Sequence, residues 1–323
     1  MLKYKYLFDN RDLAEMLLKN WAYDPDSLDL FKQYRISSNA IYPFRAGGEL
    51  RFLRFAPAGE KLESNMKAEL EFLSYLRANR YGAMEPVPDL EGRELVKAET
   101  PWGTYWASVF KNVPGVQLSR TDLSDSVIFS YGRALGELHR LSSMYEPVQA
   151  ARWTYLDVLD WITEVLSAHP DESGAALEAE ELRACLAEVP VTGRSYGLIH
   201  YDFECDNMFY HAESQLIFAI DFDDAMYHWY AMDIEQVLDS LRDELPSDAY
   251  VISRERFLDG YRSVYELPPG MEELLPLCRR FADLYRYARV RRAAAEVWEH
   301  EPEWLTGLRE RLDMRLKGRY GLV

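Results

Sequence analysis

Tyr196-Gly-Leu-Ile-His-Tyr-Asp-Phe-Glu-Cys-Asp-Asn-Met-Phe-Tyr210 and, a few residues on, Gln215-Leu-Ile-Phe-Ala-Ile-Asp-Phe-Asp-Asp224 decide how the rest of the chain is read. Each contains a short apolar run that ends in acidic and amide residues. Leu198-Ile199 leads to His200, Asp202 and Asn207, and Leu216 through Ile220 leads to Asp221. Runs of that length, rich in Ile and Phe and bounded by polar residues, suit buried strands. If the two strands are neighbours, Asp202, Asn207 and Asp221 meet at one sheet edge. Such a group supplies one carboxylate to accept a proton. It also supplies an amide oxygen and a second carboxylate to hold a hard divalent cation.

Phosphoryl transfer from a nucleotide uses those parts, because Mg²⁺ binds one or two protein oxygens plus phosphates rather than a full protein cage. The pattern His-x-Asp, four residues, Asn, then Asp after a hydrophobic strand resembles the catalytic and metal-binding loops of kinases. In detail it resembles the aminoglycoside phosphotransferase and choline kinase superfamily of small-molecule kinases. There the second Asp stands in Ile-Asp-[Phe/Trp]-[Asp/Glu], as Ile220-Asp221-Phe222-Asp223 does here. A further Asp-Ile helix start follows an aromatic segment, matched by Ala231-Met-Asp-Ile-Glu235. The spaced His, Asp and Asn alone would arise by chance on the order of once per hundred chains of this length; the later elements, in the right order, make coincidence a poor explanation.

The resemblance implies an α+β, bilobal, protein-kinase-like fold with a small β-rich N-terminal lobe and a larger helical C-terminal lobe. It places the nucleotide-binding lobe at residues 1–111 and the helical catalytic and acceptor-binding lobe at 112–323. Asp202 becomes the catalytic base, Asn207 and Asp221 the Mg²⁺ ligands, and His200 a hydrogen-bonded brace of the loop. ATP or GTP with Mg²⁺ are the implied cofactors. Two positions depart from the commonest pattern: Tyr201 stands where Gly is common and Glu204 where His is common. Both lie near the acceptor, and Glu204, Asp223 and Asp224 are candidates for binding it. A solvated turn is an equal reading of the last two.

Bulk composition narrows the class. A chain of 323 residues with 48% hydrophobic and 14% aromatic content is folded and has ample length for a core. A net charge of −17 argues against nucleic acid or an anionic membrane as partner, and either serves solubility or draws in a cationic acceptor. Three widely spaced cysteines, Cys185, Cys205 and Cys278, suggest neither a disulfide framework nor a zinc site. No apolar run spans a bilayer and the start lacks a secretory pattern, so a reducing cytoplasm is the expected compartment.

In chain order, Asp12–Trp21 has the spacing of an amphipathic helix, and Leu30–Arg35, Ala40–Arg45 and Leu50–Phe55 read as strands, the last two joined by a Gly47-Gly48 hairpin turn. Ser37-Ser38-Asn39, between the first two, is a turn whose Ser38 and Asn39 offer donors to phosphates. The family places a base on the third strand, paired with a Glu on the next helix. Arg54 and Glu69, on a helix over Ser64–Asn79, fit that pattern. Arg51 is the alternative that pleat alternation puts on the opposite face. Two more strands, Glu94–Glu99 and Thr104–Phe110, lead to the break at Lys111-Asn-Val-Pro-Gly115. There the linker backbone of kinases reads the adenine edge, with Val109, Phe110 and Lys111 as the nearest matches.

From Thr121 on, helices dominate, over 125–142, 154–168, 175–187, 232–244, 253–265, 272–298 and 303–316. His139 reads as a structural residue, and the Arg and Ala pattern of 286–295 as a solvated face. The leading function is therefore transfer of a nucleotide γ-phosphate to a hydroxyl of a small acceptor, aminoglycoside-like or an amino alcohol. A non-catalytic nucleotide-binding protein of the same fold is the alternative. A protein kinase is disfavoured by the missing Asp-Phe-Gly and Ala-Pro-Glu pair.

Overall fold

The computed structural model describes residues 1–169, 173–266 and 268–317. Helix α1 (Arg11–Leu18) begins at Asn10, whose side chain accepts the Leu13 N–H at 3.0 Å and so satisfies a donor that a helix start leaves free. It lies against a sheet of β1 (Arg35–Ile36), β2 (Ala40–Ala46) and β3 (Glu49–Pro57). Helix α2 (Glu63–Ala78) follows, then β4 (Pro86–Val87), β5 (Val96–Thr100) and β6 (Gly103–Lys111). The order is β1-β2-β3-β6-β4, with β5 also on β6 and every pair antiparallel. Gly47 and Gly48 turn β2 into β3 at φ of 61° and 79°. Their N–H groups donate to the Asp24 carboxylate at 2.9 and 2.8 Å.

Pleat alternation on this sheet separates two functions. Leu53, Phe55, Ala107 and Val109 enter a small core with Tyr42, Phe44 and the α1 residues Leu13 and Leu17. Arg54 and Phe110 face the other way, toward α2, whose Leu70, Phe72, Leu73 and Leu76 belong to a second and larger core. The expected strand over Leu30–Arg35 is instead a 3₁₀ helix, Pro25–Gln33, and only Arg35–Ile36 is extended. Pro25 at its first position and the Ser27 hydroxyl, which donates to the Asp24 carbonyl at 2.6 Å, start the turn. Phe31 then packs on Tyr42 at 5.0 Å between ring centres.

The second part contains β7 (Val116–Gln117), α3 (Asp125–Ser142), α4 (Tyr155–Ser167), α5 (Ser173–Ala187) and four short strands. These are β8 (Tyr196–Ile199), β9 (Met208–His211), β10 (Leu216–Ala219) and β11 (Met226–Trp229). Helices α6 (Ala231–Glu244), α7 (Ser247–Arg262), α8 (Leu275–Ala294) and α9 (Glu303–Lys317) complete it. Helix α7 begins well before the expected Ser253. The exposed Val251 and Ile252 break the amphipathic pattern there, while Pro246 sets the true start.

The apolar runs of Leu198-Ile199 and Leu216–Ile220 are not neighbours. β8 pairs with β11, Ile199 opposite Met226, whereas β10 pairs with β9, Ala219 opposite Met208. The grouping of Asn207 and Asp221 comes from the β9–β10 hairpin, because Asn207 precedes its first strand and Asp221 follows its second. The loop from β8 to β9 carries Asp202 to the same end.

Helices α3 and α7 cross closely at three glycines. A Cβ on Gly132 would stand 1.8 Å from the Phe257 carbonyl oxygen, and one on Gly260 would stand 2.1 Å from that of Phe129. Both obstacles are backbone, so neither can rotate away. Gly132→Ala is therefore expected to destabilise the protein by at least about 1–3 kcal/mol through overpacking. A lowered urea midpoint with unchanged slope is the signature, and an unchanged midpoint would contradict this crossing.

Candidate active site

The loop after β8 is held from beneath by Asp233, fully buried in the first turn of α6. Its Oδ2 accepts the His200 N–H at 2.9 Å and its Oδ1 the Tyr201 N–H at 2.7 Å. Oδ2 also meets His139 Nε2 at 3.1 Å, while His139 Nδ1 lies 2.9 Å from the Tyr261 hydroxyl. Burial keeps the His139 imidazole below its usual pKa. A neutral ring then donates from Nε2 to the carboxylate and accepts from Tyr261. His139 is thus structural. Tyr201 has φ +71°, the left-handed region that favours glycine, which explains why Gly is the commoner residue there.

His200 is buried, and burial lowers its pKa to about 4. The neutral imidazole spans the site, with Nε2 3.0 Å from the Ile220 carbonyl and Nδ1 accepting the Asp202 N–H at 3.2 Å. Two further bonds tie the loop to the hairpin: Asn207 Nδ2 donates to the Asp202 carbonyl at 3.0 Å, and the Ile220 N–H donates to the Asn207 carbonyl at 3.0 Å. Asp221 sits at φ +64° with its N–H toward the Met84 sulfur at 3.2 Å.

Asp202 and Asp221 carry charge that the protein offsets only in part, through Arg289 and Arg54 without direct contact. Burial, then Asp224 and Glu204, push the Asp202 carboxyl well above the usual range. Burial and Asp223 raise Asp221 to about 6. Among the described residues neither carboxylate has an ion-pair partner. A divalent cation would relieve that repulsion, and the Asn207 amide, having spent its N–H on Asp202, keeps its oxygen for it. Among the described residues no three His, Cys, Asp or Glu side chains form a cage. This suits Mg²⁺, which takes few protein oxygens and completes its shell with phosphates and water. The donor set fits the ion.

Facing these groups, Arg54 and Glu69 form a buried two-pronged pair, Nη1 to Oε1 at 2.8 Å and Nη2 to Oε2 at 2.7 Å. The Arg54 guanidinium lies 4.6 Å from the Phe110 ring centre, and among the described residues its buried Nε has no hydrogen-bond partner. Arg51 lies near Glu49 instead. Val109, Phe110 and Lys111 lie on a strand with partners on both edges rather than on a free linker. The N–H groups of Lys111 and Asn112 are taken by the carbonyls of Glu85 and Leu50. Backbone free of sheet pairing therefore starts later than expected, because β4 extends the sheet over that segment. Asn39 is buried and lines neither of the two cavities that flank the loop, whereas Ser38 lines both.

One of these cavities, of about 160 Å³, contains Asp202 with Tyr201, Glu204, Gln236, Arg286 and Arg289. The other, of about 140 Å³, contains Asp223 and Asp224 with Lys61, Arg152, Arg289 and Arg292. Burial would raise Asp223, but Lys61, in direct contact, and Arg54 hold it below the usual carboxylate range. Burial would likewise raise Asp224, which Arg289 at 2.7 Å holds down. Both carboxylates are in direct ion pairs; among the described residues Glu204 has none, and only the charge of nearby Arg286 opposes the rise that burial gives it. Cys205 is a packed residue whose thiol burial pushes up to about 11.

The sequence pattern does not single out Lys61, Arg152 or Arg289, and it marks Asp233 only as a helix start. The 286–295 segment is not a solvated face throughout. Arg286, Arg289 and Arg292 recur every third residue, a spacing that lines one helix face and is the signal that could have shown the cationic wall. Arg289 and Arg292 are largely covered, contacting Asp224 and Glu60 at 2.7 and 2.8 Å.

The profile of the phosphotransferase enzyme family matches residues 37–277. The chain is 23% identical over 293 residues to amicoumacin kinase of Bacillus subtilis (strain 168), across 86% of this chain and 85% of that protein. In three dimensions it is similar to a solved amicoumacin kinase in complex with AMP-PNP, Ca²⁺ and Ami. That match has a TM-score of 0.78 and 18% identity, over 98% of this chain and 95% of that one. A microcompartment-associated aminopropanol kinase matches with a TM-score of 0.66 and 20% identity, over 97% and 99% of the two chains. Among the described residues no helix is long and apolar enough to cross a membrane.

Asp233→Asn keeps the shape but replaces one accepting oxygen by an NH₂ facing a backbone N–H. The expected loss is about 1–3 kcal/mol, the penalty of a buried donor left unmade. Equal denaturant midpoints for the variant and the parent would overturn the anchoring role.

Proposed function

Because this chain belongs to the phosphotransferase enzyme family, whose members transfer phosphoryl groups to hydroxyls of small molecules, we propose that it moves the γ-phosphate of ATP to an amino-alcohol-like or aminoglycoside-like acceptor. The observation that carries this reading is that hydrogen bonds bring Asp202, Asn207 and the hairpin end at Asp221 together, with Arg54 of the Arg54–Glu69 pair near enough to act on Asp221.

In this reading Asp202 orients the acceptor hydroxyl and takes its proton as the oxygen attacks phosphorus. The Asp202 backbone is held for that task by its N–H, which donates to the His200 ring, and by its carbonyl, which accepts from the Asn207 amide. Asn207 Oδ1 and Asp221 would hold Mg²⁺, which when bound would supply positive charge to offset that of the phosphate oxygens. Arg54, fixed by Glu69, keeps its unpartnered Nε for a phosphate oxygen. A guanidinium holds such an oxygen directionally, where a lysine would act as a point charge. Glu204 shares the Asp202 cavity and would take an acceptor amine. An aminopropanol kinase among the similar structures supports an acceptor that carries both amine and hydroxyl.

The two aspartates separate binding from chemistry. Asp221→Ala is expected to abolish the Mg²⁺-dependent rise in melting temperature produced by ATP. Asp202→Ala should keep that rise and lose transfer by about 10²–10⁴-fold, the range for a positioned proton acceptor. Transfer is measured with γ-labelled ATP over amino alcohols, aminoglycosides, hydroxy amino acids and sugars. Equal ATP-dependent melting shifts in the parent and in Asp221→Ala would sink the metal assignment.

A further inference from the structure

Arg289, largely covered in the wall of the cleft, is held differently from the buried Arg54. Arg54 engages its carboxylate with both terminal nitrogens, the two-pronged geometry of a settled ion pair. Arg289 divides its nitrogens: Nη1 meets Asp224 Oδ2 at 2.7 Å, and Nη2 donates to the neutral Ser38 hydroxyl at 2.9 Å. Its guanidinium also lies 5.2 Å from the Tyr285 ring centre, which fixes its plane. It lines both cavities, so it is the wall between Asp202 and Glu204 on one side and Lys61, Asp223 and Asp224 on the other. Ser38 belongs to the turn before β2 that faces the same space. A group seated between that turn and Asp202 meets Nη2.

We propose that Arg289 is a catalytic residue that reaches from α8 and donates from Nη2 to the transferring γ-phosphoryl group. The inference rests on the kinase reading above. A hydroxyl is a weak partner for a guanidinium, and an anionic phosphate oxygen is a stronger one by roughly a factor of two, so the phosphate takes the place of Ser38. Nη1 stays on Asp224, which keeps the side chain in position. In the transfer the acceptor oxygen forms a bond to phosphorus and the bond from phosphorus to the leaving diphosphate breaks. The acceptor proton passes to Asp202. Arg289 makes no bond and offsets the charge that accumulates on the phosphoryl oxygens.

The test compares a triphosphate analogue with a diphosphate, so it needs no acceptor. Isothermal titration measures Mg²⁺·AMP-PNP and Mg²⁺·ADP on the full chain, as the parent, Arg289→Lys, Arg289→Met and Arg289→Met with Asp224→Asn. The double variant removes both charges, so it stays informative if Arg289→Met alone fails to fold. In Arg289→Met and in the double variant, AMP-PNP should bind about tenfold or more weakly, while ADP stays within about twofold. Arg289→Lys should fall between. An equal loss for both nucleotides, or no loss for AMP-PNP, would overturn the proposal and leave Arg289 as a counter-ion of Asp224. A parent protein that binds neither nucleotide overturns instead the kinase reading on which the proposal stands.

Discussion

The geometry of the cleft depends on one buried carboxylate. Asp233 accepts two successive backbone N–H groups, those of His200 and Tyr201, and only a chain that turns back on itself presents them side by side. That turn forces Tyr201 to φ +71°, a conformation that costs a β-carbon-bearing residue roughly 1–3 kcal/mol. Charge-assisted hydrogen bonds in a dry interior are strong enough to offset it. Placing the acid in the first turn of α6 adds the favourable field of the helix N-terminus. His139 on α3 and Tyr261 on α7 extend the chain of contacts. The loop bearing Asp202 therefore inherits its shape from helix packing beneath it, including the glycine-lined crossing of α3 and α7.

Charge in the cleft differs from charge over the molecule. The net −17 of the chain suggested a cationic acceptor, yet the walls near Asp223 and Asp224 carry Lys61, Arg152, Arg289 and Arg292. Net charge acts through solvent over distances of a Debye length, about 8–10 Å, while a side chain in contact acts undiluted. Lys61 and Arg289 satisfy Asp223 and Asp224, which leaves Glu204 as the acid beside Asp202 without a directly bonded cation among the described residues. Within the cleft, Glu204 is therefore the group that would take an acceptor amine.

What the sequence disclosed follows from the range of the interactions involved. The grouping of Asp202, Asn207 and Asp221 was legible because a loop and one hairpin create it within some twenty residues. Arg54 with Glu69 was legible because alternation on β3 and position on α2 both pointed to it. The partner of β8 was not, since four-residue apolar strands carry no register information and β11 competes with β10 on equal terms. Residues 30–35 read as a strand because Phe and Tyr favour strands, and the Asp-Pro-Asp-Ser start upstream overrode them. Arg289 was hidden by the rule that charged helix residues face water. Its burial becomes intelligible only once Asp224 and Ser38, distant in sequence, stand opposite it.

The Arg54–Glu69 pair lies where the two apolar cores meet. Val109 on β6 belongs to the small core and its neighbour Phe110 to the large one, together with the inner face of α2. Apolar packing at such a seam would hold the sheet to α2 without fixing their rotation, because dispersion and hydrophobic burial have no direction. A two-pronged guanidinium–carboxylate contact has direction in two dimensions. Buried ion pairs add little to stability against well-packed apolar side chains, so stability is a weak reason for having one here. Orientation is the stronger reason. With both terminal nitrogens committed to Glu69, Arg54 presents Nε at a fixed place relative to Asp221 and Asp223, whose charges it senses. The same seam that joins the sheet to α2 thereby sets the distance between Arg54 Nε on one side and the acidic hairpin end on the other.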